Sequence, residues 1–207
     1  VMKREFGITP YLTAGHSVGE ASALCIAKII SRGNAFRLIA KRAFFMEREA
    51  KKTNGKMFAI LGMTEERLCE LISDVKEGIV VPANYNTIGQ IVVSGDEKGT
   101  KALLDLFEKN NERIRTIELK VSGGWHSPLI EGAYNEYNEF LDSIEFHNFM
   151  EIRYISNVSG KYERDGEKIK KLVSRQIISP VLWTKTMKIM VDGNIESQVA
   201  IQEEIKA

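Results

Sequence analysis

The segment Gly15-His16-Ser17-Val18-Gly19 constrains this chain more than any other. It follows Tyr11-Leu12-Thr13-Ala14, which reads as a short strand. It precedes Glu20 to Ile30, which reads as a helix rich in Ala, Leu and Ile. A strand that turns at once into a helix around two glycines is the nucleophile-elbow pattern of an α/β chain, in which the tight turn holds the central serine outward. Small neighbours let the start of the helix pack close behind Ser17. Backbone N–H groups there, beginning with Val18, can stabilise a developing oxyanion. The bare pattern is weakly specific, since at average glycine usage roughly one chain in ten of this length contains it by chance. An ordinary glycine turn is the competing reading.

The rest of the chain alternates strand-like and helix-like stretches. A second helix runs from about Asn34 to Lys51, after a break at Arg32-Gly33. Met57 to Met63 is strand-like, and Thr64 can cap a helix whose apolar positions Leu68, Leu71, Ile72 and Val75 share one face. Ile79-Val80-Val81 and Ile91-Val92-Val93 are β-branched runs joined through Asn84 to Gly89, and Asp96 opens a helix with Leu103, Leu106 and Phe107 inward. Ile117, Leu119 and Val121 alternate with polar residues at the period of a half-buried strand. Strand, helix, strand, strand, helix, strand is the order of a ferredoxin-like split βαβ unit. Residues 52–123 are therefore expected to form a subdomain inserted into a larger α/β domain made of 1–51 and 124–207. In the second part, Ser127 and Pro128 open a helix reaching about Ile144, with Ile130, Ala133, Tyr137, Phe140 and Leu141 as its stripe. Tyr154 to Val158 reads as a strand, Lys168 to Ile178 as a helix, and Pro180 as the start of a further helical stretch.

A serine nucleophile needs a base, and the chain has three histidines. His16 adjoins Ser17 on a sharp turn and is expected to point elsewhere, as a packing or pocket residue. His147 follows Glu145-Phe146 beside Asn148 and reads as a surface residue. His126 follows Gly123-Gly124 at a strand end and precedes a helix, where α/β folds place functional side chains. Arg42 is the other informative residue. Its same-face helical neighbours are Leu38, Ile39, Phe45 and Met46, and a guanidinium inside an apolar stripe needs an anion, a structural salt bridge or a route to the surface. No acidic residue stands out as a third triad member.

Composition excludes several classes. Lys plus Arg number 29 and Asp plus Glu 28, a net charge of +1 that gives no footprint for nucleic acid or an anionic membrane. Cys25 and Cys69 are too few for a disulfide framework or a four-ligand zinc site, and metal chemistry has no support. The longest mostly apolar run, Ala21 to Ile30, is too short to span a bilayer. The start, Val1 to Phe6, has no apolar signal core. A soluble, cytoplasmic monomer is expected.

Gly15-His16-Ser17-Val18-Gly19-Glu20 resembles the GHSxGE signature of malonyl-CoA:acyl carrier protein transacylases and polyketide synthase acyltransferase domains. Lys41 to Met46 is similar to that family's arginine-containing helix, and Ala83 to Asn86 with Gly89 to Gly95 to its subdomain hairpin. Val121 to Leu129 resembles its histidine segment, and Ile155 to Val158 and Arg175-Gln176 through Thr184 also match. The resemblance implies an α/β-hydrolase-like core carrying a ferredoxin-like subdomain. It implies Ser17 as the acyl-accepting nucleophile, His126 as its base, the Val18 N–H as oxyanion donor and Arg42 as receiver of the substrate carboxylate. It also implies that the Gln176 backbone carbonyl orients the histidine, in place of an acid. Asn86 and His16 fall near the pocket, though an ordinary hairpin asparagine accounts for Asn86 equally well. Malonyl-CoA would be the substrate and acyl carrier protein the acceptor, in fatty acid biosynthesis, with no cofactor.

Family members begin earlier, with a strand and a glutamine-bearing loop that completes the oxyanion hole, and continue past a Gly-Pro-Gly segment. This sequence has neither, so it reads as truncated at both ends. Two alternatives stay open: a polyketide-type acyltransferase for another acyl group, suggested by Gly124-Trp125-His126, or a serine hydrolase, thioesterase or inactive carrier-protein binding module.

Overall fold

The elbow lies where two layers of the fold meet. In this computed structural model, which describes residues 5–148 and 151–192, β1 (Leu12–Thr13) lies parallel to β6 (Arg153–Ile155). A short antiparallel strand not expected from the sequence, β7 (Tyr162–Glu163), completes this small mixed sheet in the order β1-β6-β7. The amino-terminal residues 1–4 and the stretch Gln198 to Ala207, on which the reading of the chain's ends rests, lie outside the described residues.

The helix after the elbow, α1 (Gly19–Ile26), stops four residues short of expectation. Lys28 takes a left-handed conformation (φ +61°) and turns the chain, so that Ile29 and Ile30 enter the core from a loop. The next helix, α2 (Arg32–Thr53), is 22 residues long. Ser31 caps it by accepting from the Asn34 N–H at 3.1 Å, and Asn54 ends it at φ +49°. Its inward face buries Ala35, Leu38, Arg42, Phe45, Met46, Glu49 and Ala50, so the guanidinium sits mid-helix on the core side.

The four-stranded sheet is built from β2 (Lys56–Leu61), β3 (Val80–Thr87), β4 (Gln90–Gly95) and β5 (Arg115–Glu118), in the order β3-β4-β2-β5, with antiparallel neighbours throughout. Helices α3 (Glu65–Ser73) and α4 (Glu97–Lys109), capped by Thr64 and Asp96 as expected, follow β2 and β4. This is β-α-β-β-α-β in one sheet, the ferredoxin-like arrangement. Two details differ from expectation. The Asn84 to Gly89 link is mostly strand, with β3 running to Thr87 before a tight turn. The half-buried alternation expected through Val121 fails, because β5 is an edge strand ending at Glu118 with all four residues exposed; Leu119 alone packs against the core there.

After β5 the chain returns to α2. Ser127 accepts from the Leu129 N–H and starts a 3₁₀ turn, Pro128–Ala133, where an α-helix was expected; the α-helix proper is α5 (Tyr134–Asp142). Ile130, Ala133, Tyr137 and Leu141 are buried in the main core beside α2, with Phe140 packed at its edge. Strand β6 ends at Ile155 rather than Val158. Asp165 caps α6 (Gly166–Gln176), and residues 183–192 are helical. The α/β core and the ferredoxin-like layer meet through Val181, which exchanges backbone hydrogen bonds with Ala83 and Tyr85 of β3.

Candidate active site

Ser17 has φ +52°, a left-handed conformation unusual for a residue with a Cβ and costing of order 1–3 kcal/mol. Its backbone is held in place from both sides. The Ser17 N–H donates to Asn157 Oδ1 at 2.7 Å, and the Ser17 carbonyl accepts from Gln176 Nε2 at 2.8 Å. Gly15 is needed for packing, since a Cβ there would meet the Gly19 carbonyl oxygen at 2.0 Å. Gly19 has no such constraint, as nothing lies within 4 Å of a Cβ built on it. Of the two motif glycines expected to admit the helix start, only the first does so.

His126 is the second strained residue, at φ +58°. The loop before it lies tightly against α2: a Cβ on Gly123 would come within 2.4 Å of the Ala50 side chain. The fold brings His126 Nε2 to 2.8 Å from Ser17 Oγ, and His126 Nδ1 to 2.9 Å from the Gln176 carbonyl oxygen. That oxygen can only accept, so the proton sits on Nδ1 and Nε2 is free to accept from the serine hydroxyl. Gln176 ends α6, where the last carbonyls lack intrahelical donors and carry the negative end of the helix dipole. Ser179 N–H is its other donor, at 3.4 Å. Burial, and then the nearby Arg42 charge, push the His126 imidazole down to about 3, so it is neutral at physiological pH.

Arg42 Nη2 donates to Ser17 Oγ at 2.9 Å and Arg42 Nε to Gln176 Oε1 at 3.0 Å. The serine oxygen thus lies between a guanidinium donor and an imidazole acceptor. Among the described residues no carboxylate pairs directly with Arg42, and burial lowers its pKa. The direct structural salt bridge considered from sequence is therefore not found. The nearest acid, Glu20, is reached through Gln176. It accepts from Tyr154 Oη (2.7 Å), the Asn157 N–H (2.7 Å) and Gln176 Nε2 (2.6 Å). Burial raises the Glu20 pKa, while these donors and Arg42 oppose the rise.

A cavity of about 680 Å³ opens over these groups, lined by His16, Ser17, Val18, Arg42, Trp125 and His126 together with apolar side chains such as Met46 and Met57. Among the described residues no protein acceptor takes up the Val18 N–H. His16 turns from the serine as expected: its Nε2 lies 2.9 Å from Asn86 Oδ1 and its ring is edge-on to Trp183. Asn86 itself does not line this cavity; Asn84, two residues earlier on β3, does. His147 is exposed beside Glu145, far from this cluster in role and contacts. No group of three or more His, Cys, Asp or Glu residues suited to a metal occurs among the described residues, and no described helix is long and apolar enough to cross a membrane.

Sequence reasoning missed Glu20, Tyr154, Asn157 and the Gln176 side chain as parts of the site. The readable signal was Glu20 itself, an acid on the inward face of an otherwise Ala- and Leu-rich helix. Comparison with known proteins identifies what the chain is similar to. The family profile described as "Acyl transferase domain" matches residues 2–202. The chain is 38% identical over 193 residues to the malonyl CoA-acyl carrier protein transacylase of Bacillus subtilis (strain 168), covering 92% of this chain and 60% of that protein. It superposes on the crystal structure of MCAT from Streptococcus pneumoniae with a TM-score of 0.87 at 33% identity, covering 93% of this chain and 63% of the other. A malonyl-transacylase solved in complex with its type II PKS acyl-carrier protein gives a TM-score of 0.86 at 30% identity, covering 93% and 62%. The chain spans about 60% of the length of the curated relatives it matches.

Proposed function

The chain belongs to the acyl transferase domain family, and we propose that within its full-length protein it moves a malonyl group from malonyl-CoA to the phosphopantetheine thiol of acyl carrier protein, in fatty acid synthesis. The observation that carries this reading is the position of Ser17 Oγ, 2.8 Å from a neutral imidazole acceptor and 2.9 Å from a buried guanidinium. The imidazole makes the hydroxyl a nucleophile. The guanidinium gives an acyl group bearing a carboxylate a reason to bind beside it.

In the first half-reaction Ser17 Oγ attacks the thioester carbonyl carbon and its proton passes to His126 Nε2. The tetrahedral oxyanion meets the Val18 N–H at the start of α1, where the helix dipole favours negative charge. Collapse breaks the C–S bond, and the coenzyme A sulfur leaves with the proton from His126, giving a malonyl-serine ester. The Gln176 carbonyl keeps Nδ1 protonated and stabilises the transient imidazolium, the task an acid performs in a Ser-His-Asp triad. The carrier-protein thiol then gives its proton to His126 and attacks the ester carbonyl; the C–Oγ bond breaks, and His126 returns the proton to Ser17 Oγ, which restores the free hydroxyl. Arg42 holds the malonyl carboxylate through both halves and fixes the acyl group for attack. Neither step calls for redox or metal chemistry, so no cofactor enters this reading. The protein acts as a cytoplasmic monomer.

The relatives' names and the carrier-protein complex support the choice of substrate and partner. The test is transfer of isotopically labelled malonyl from malonyl-CoA to holo acyl carrier protein by the full-length protein. Label on the carrier thiol is the expected result; label released only as free malonate would make the protein a hydrolase.

A further inference from the structure

Neither half-reaction uses the Glu20 carboxylate. It is 2% exposed on α1, three residues after Ser17. Three hydrogen bonds reach it, from Tyr154 Oη, the Asn157 N–H and Gln176 Nε2. Two of these partners have no lone pair to offer. A backbone N–H only donates. The Gln176 amide is fixed in orientation because its Oε1 faces Arg42 Nε, a pure donor, and its Nε2 faces the Ser17 carbonyl, a pure acceptor. Only the Tyr154 hydroxyl could accept from a carboxylic acid, whereas all three partners can donate to a carboxylate, so the site favours the ion. Arg42 is buried, and among the described residues no carboxylate contacts it, so its charge too needs an answer from within the protein.

We propose that Glu20 is an ionised positioning residue, the counter-charge of Arg42, joined to it through the Gln176 side-chain amide. A carboxylate bound directly to Arg42 would compete with the carboxylate of the substrate. One held a residue away offsets the guanidinium charge and leaves the Ser17-facing side of Arg42 open to the incoming acyl group. The same carboxylate holds both partners of the strained Ser17 backbone: the Asn157 backbone, whose side chain takes the Ser17 N–H and the Gly15 carbonyl, and the Gln176 amide, which takes the Ser17 carbonyl. The relay thus couples the charge that selects the acyl group to the turn that aims the nucleophile. The inference rests on the reading of Arg42 as receiver of the substrate carboxylate.

A thermal double-mutant cycle on the full-length protein tests it, with Glu20→Gln, Arg42→Met and both together. Each single change strands the opposite charge in the interior and lowers the Tm. The double variant removes both charges, so its loss of Tm is expected to be clearly smaller than the sum of the two single losses. A loss equal to that sum overturns the relay, because a purely structural Glu20 has no coupling to a residue it does not touch. Should Glu20→Gln alone fail to fold, the double variant is still expected to fold. Should both fail, infrared spectra of the wild-type protein decide: the relay requires that no buried protonated carboxylic acid band appear at neutral pH, and such a band refutes it. Failure of this cycle leaves the acyl selectivity of Arg42 variants, which tests the functional reading itself, unaffected.

Discussion

Replacing Arg42 by Ala is expected to change which acyl group the protein prefers. The side chain is 8% exposed and directs two charge-assisted hydrogen bonds at the site, 3.0 Å to Gln176 and 2.9 Å to Ser17. A bound malonyl carboxylate would take over such donors, and a hydrogen bond to a charged group contributes about 1.5–3 kcal/mol. At about 1.4 kcal/mol per factor of ten, malonyl transfer should fall by roughly ten- to a hundredfold. Acetyl transfer never uses the contact. It also gains from the change, because the Arg42 charge is the second cause of the low His126 basicity after burial, and removing it makes the base stronger. The assay compares malonyl-CoA and acetyl-CoA turnover side by side in the full-length protein, with Tm as a control. Truncation also leaves Gln176 Oε1 without a partner, which costs on the order of 1–3 kcal/mol of stability but affects both acyl groups alike. A malonyl-to-acetyl ratio that stays unchanged would remove Arg42 from substrate recognition. Arg42→Lys should restore only part of the preference, since an ammonium lacks the planar fork.

Further changes have equally definite outcomes. His126→Ala should slow acylation of the serine by about 10²–10⁴-fold in single-turnover kinetics, whereas His147→Ala, on the surface, should leave the rate within a factor of two or so; equal losses would mean the wrong base was chosen. His126 is held neutral down to about pH 3 when folded but binds a proton near pH 6.5 when unfolded, so its effect on stability is favourable above pH 6.5 and declines as pH falls toward 3, by up to about 1.4 kcal/mol per unit. Urea unfolding of wild type and His126→Asn between pH 7 and 4 should therefore converge as pH falls, and parallel profiles would contradict the buried neutral imidazole. Gly15→Ala forces a Cβ into the Gly19 carbonyl and should cost at least 1–3 kcal/mol, while Gly19→Ala, with open space at a helix start, should be neutral or slightly stabilising in a melting experiment.

Local rules made much of the fold readable. Thr64, Asp96 and Ser127 are side-chain caps whose effect is confined to the next turn, and β2, β3 and β4 carry β-branched or apolar runs flanked by turn residues; the Ser31 cap was missed, because Arg32-Gly33 read as a break and is instead the first turn of α2. What failed depended on distant neighbours. The Ile117 to Val121 alternation looked half-buried, but no sequence signal says that β5 pairs only with β2 and stays at the edge. Strand β7 is two residues long and exists because β6 is beside it. The site divides in the same way. Ser17, His126 and Arg42 stand out against their local backgrounds, as a serine in a glycine turn, a histidine after Gly-Gly and a cation in an apolar stripe. The groups that hold them, Asn157 and the Gln176 side chain, are separated from Ser17 by 140 and 159 residues, and only the folded chain reveals those contacts. Asn86 reaches the cavity only through His16, while Asn84 lines it directly; the two lie on one face of β3 by strand alternation, and the irregular β3–β4 register that separates them could not be read from sequence.

The claim that Ser17 carries the acyl group is tested most directly by peptide-mapping mass spectrometry of the full-length protein, quenched with acid after brief exposure to malonyl-CoA without carrier protein. One malonyl adduct is expected, on the peptide containing Ser17. It should persist until holo acyl carrier protein is added and then disappear as malonyl-carrier forms, and it should be absent from Ser17→Ala. A malonyl adduct on another residue, or an undiminished adduct in the alanine variant, would contradict the account.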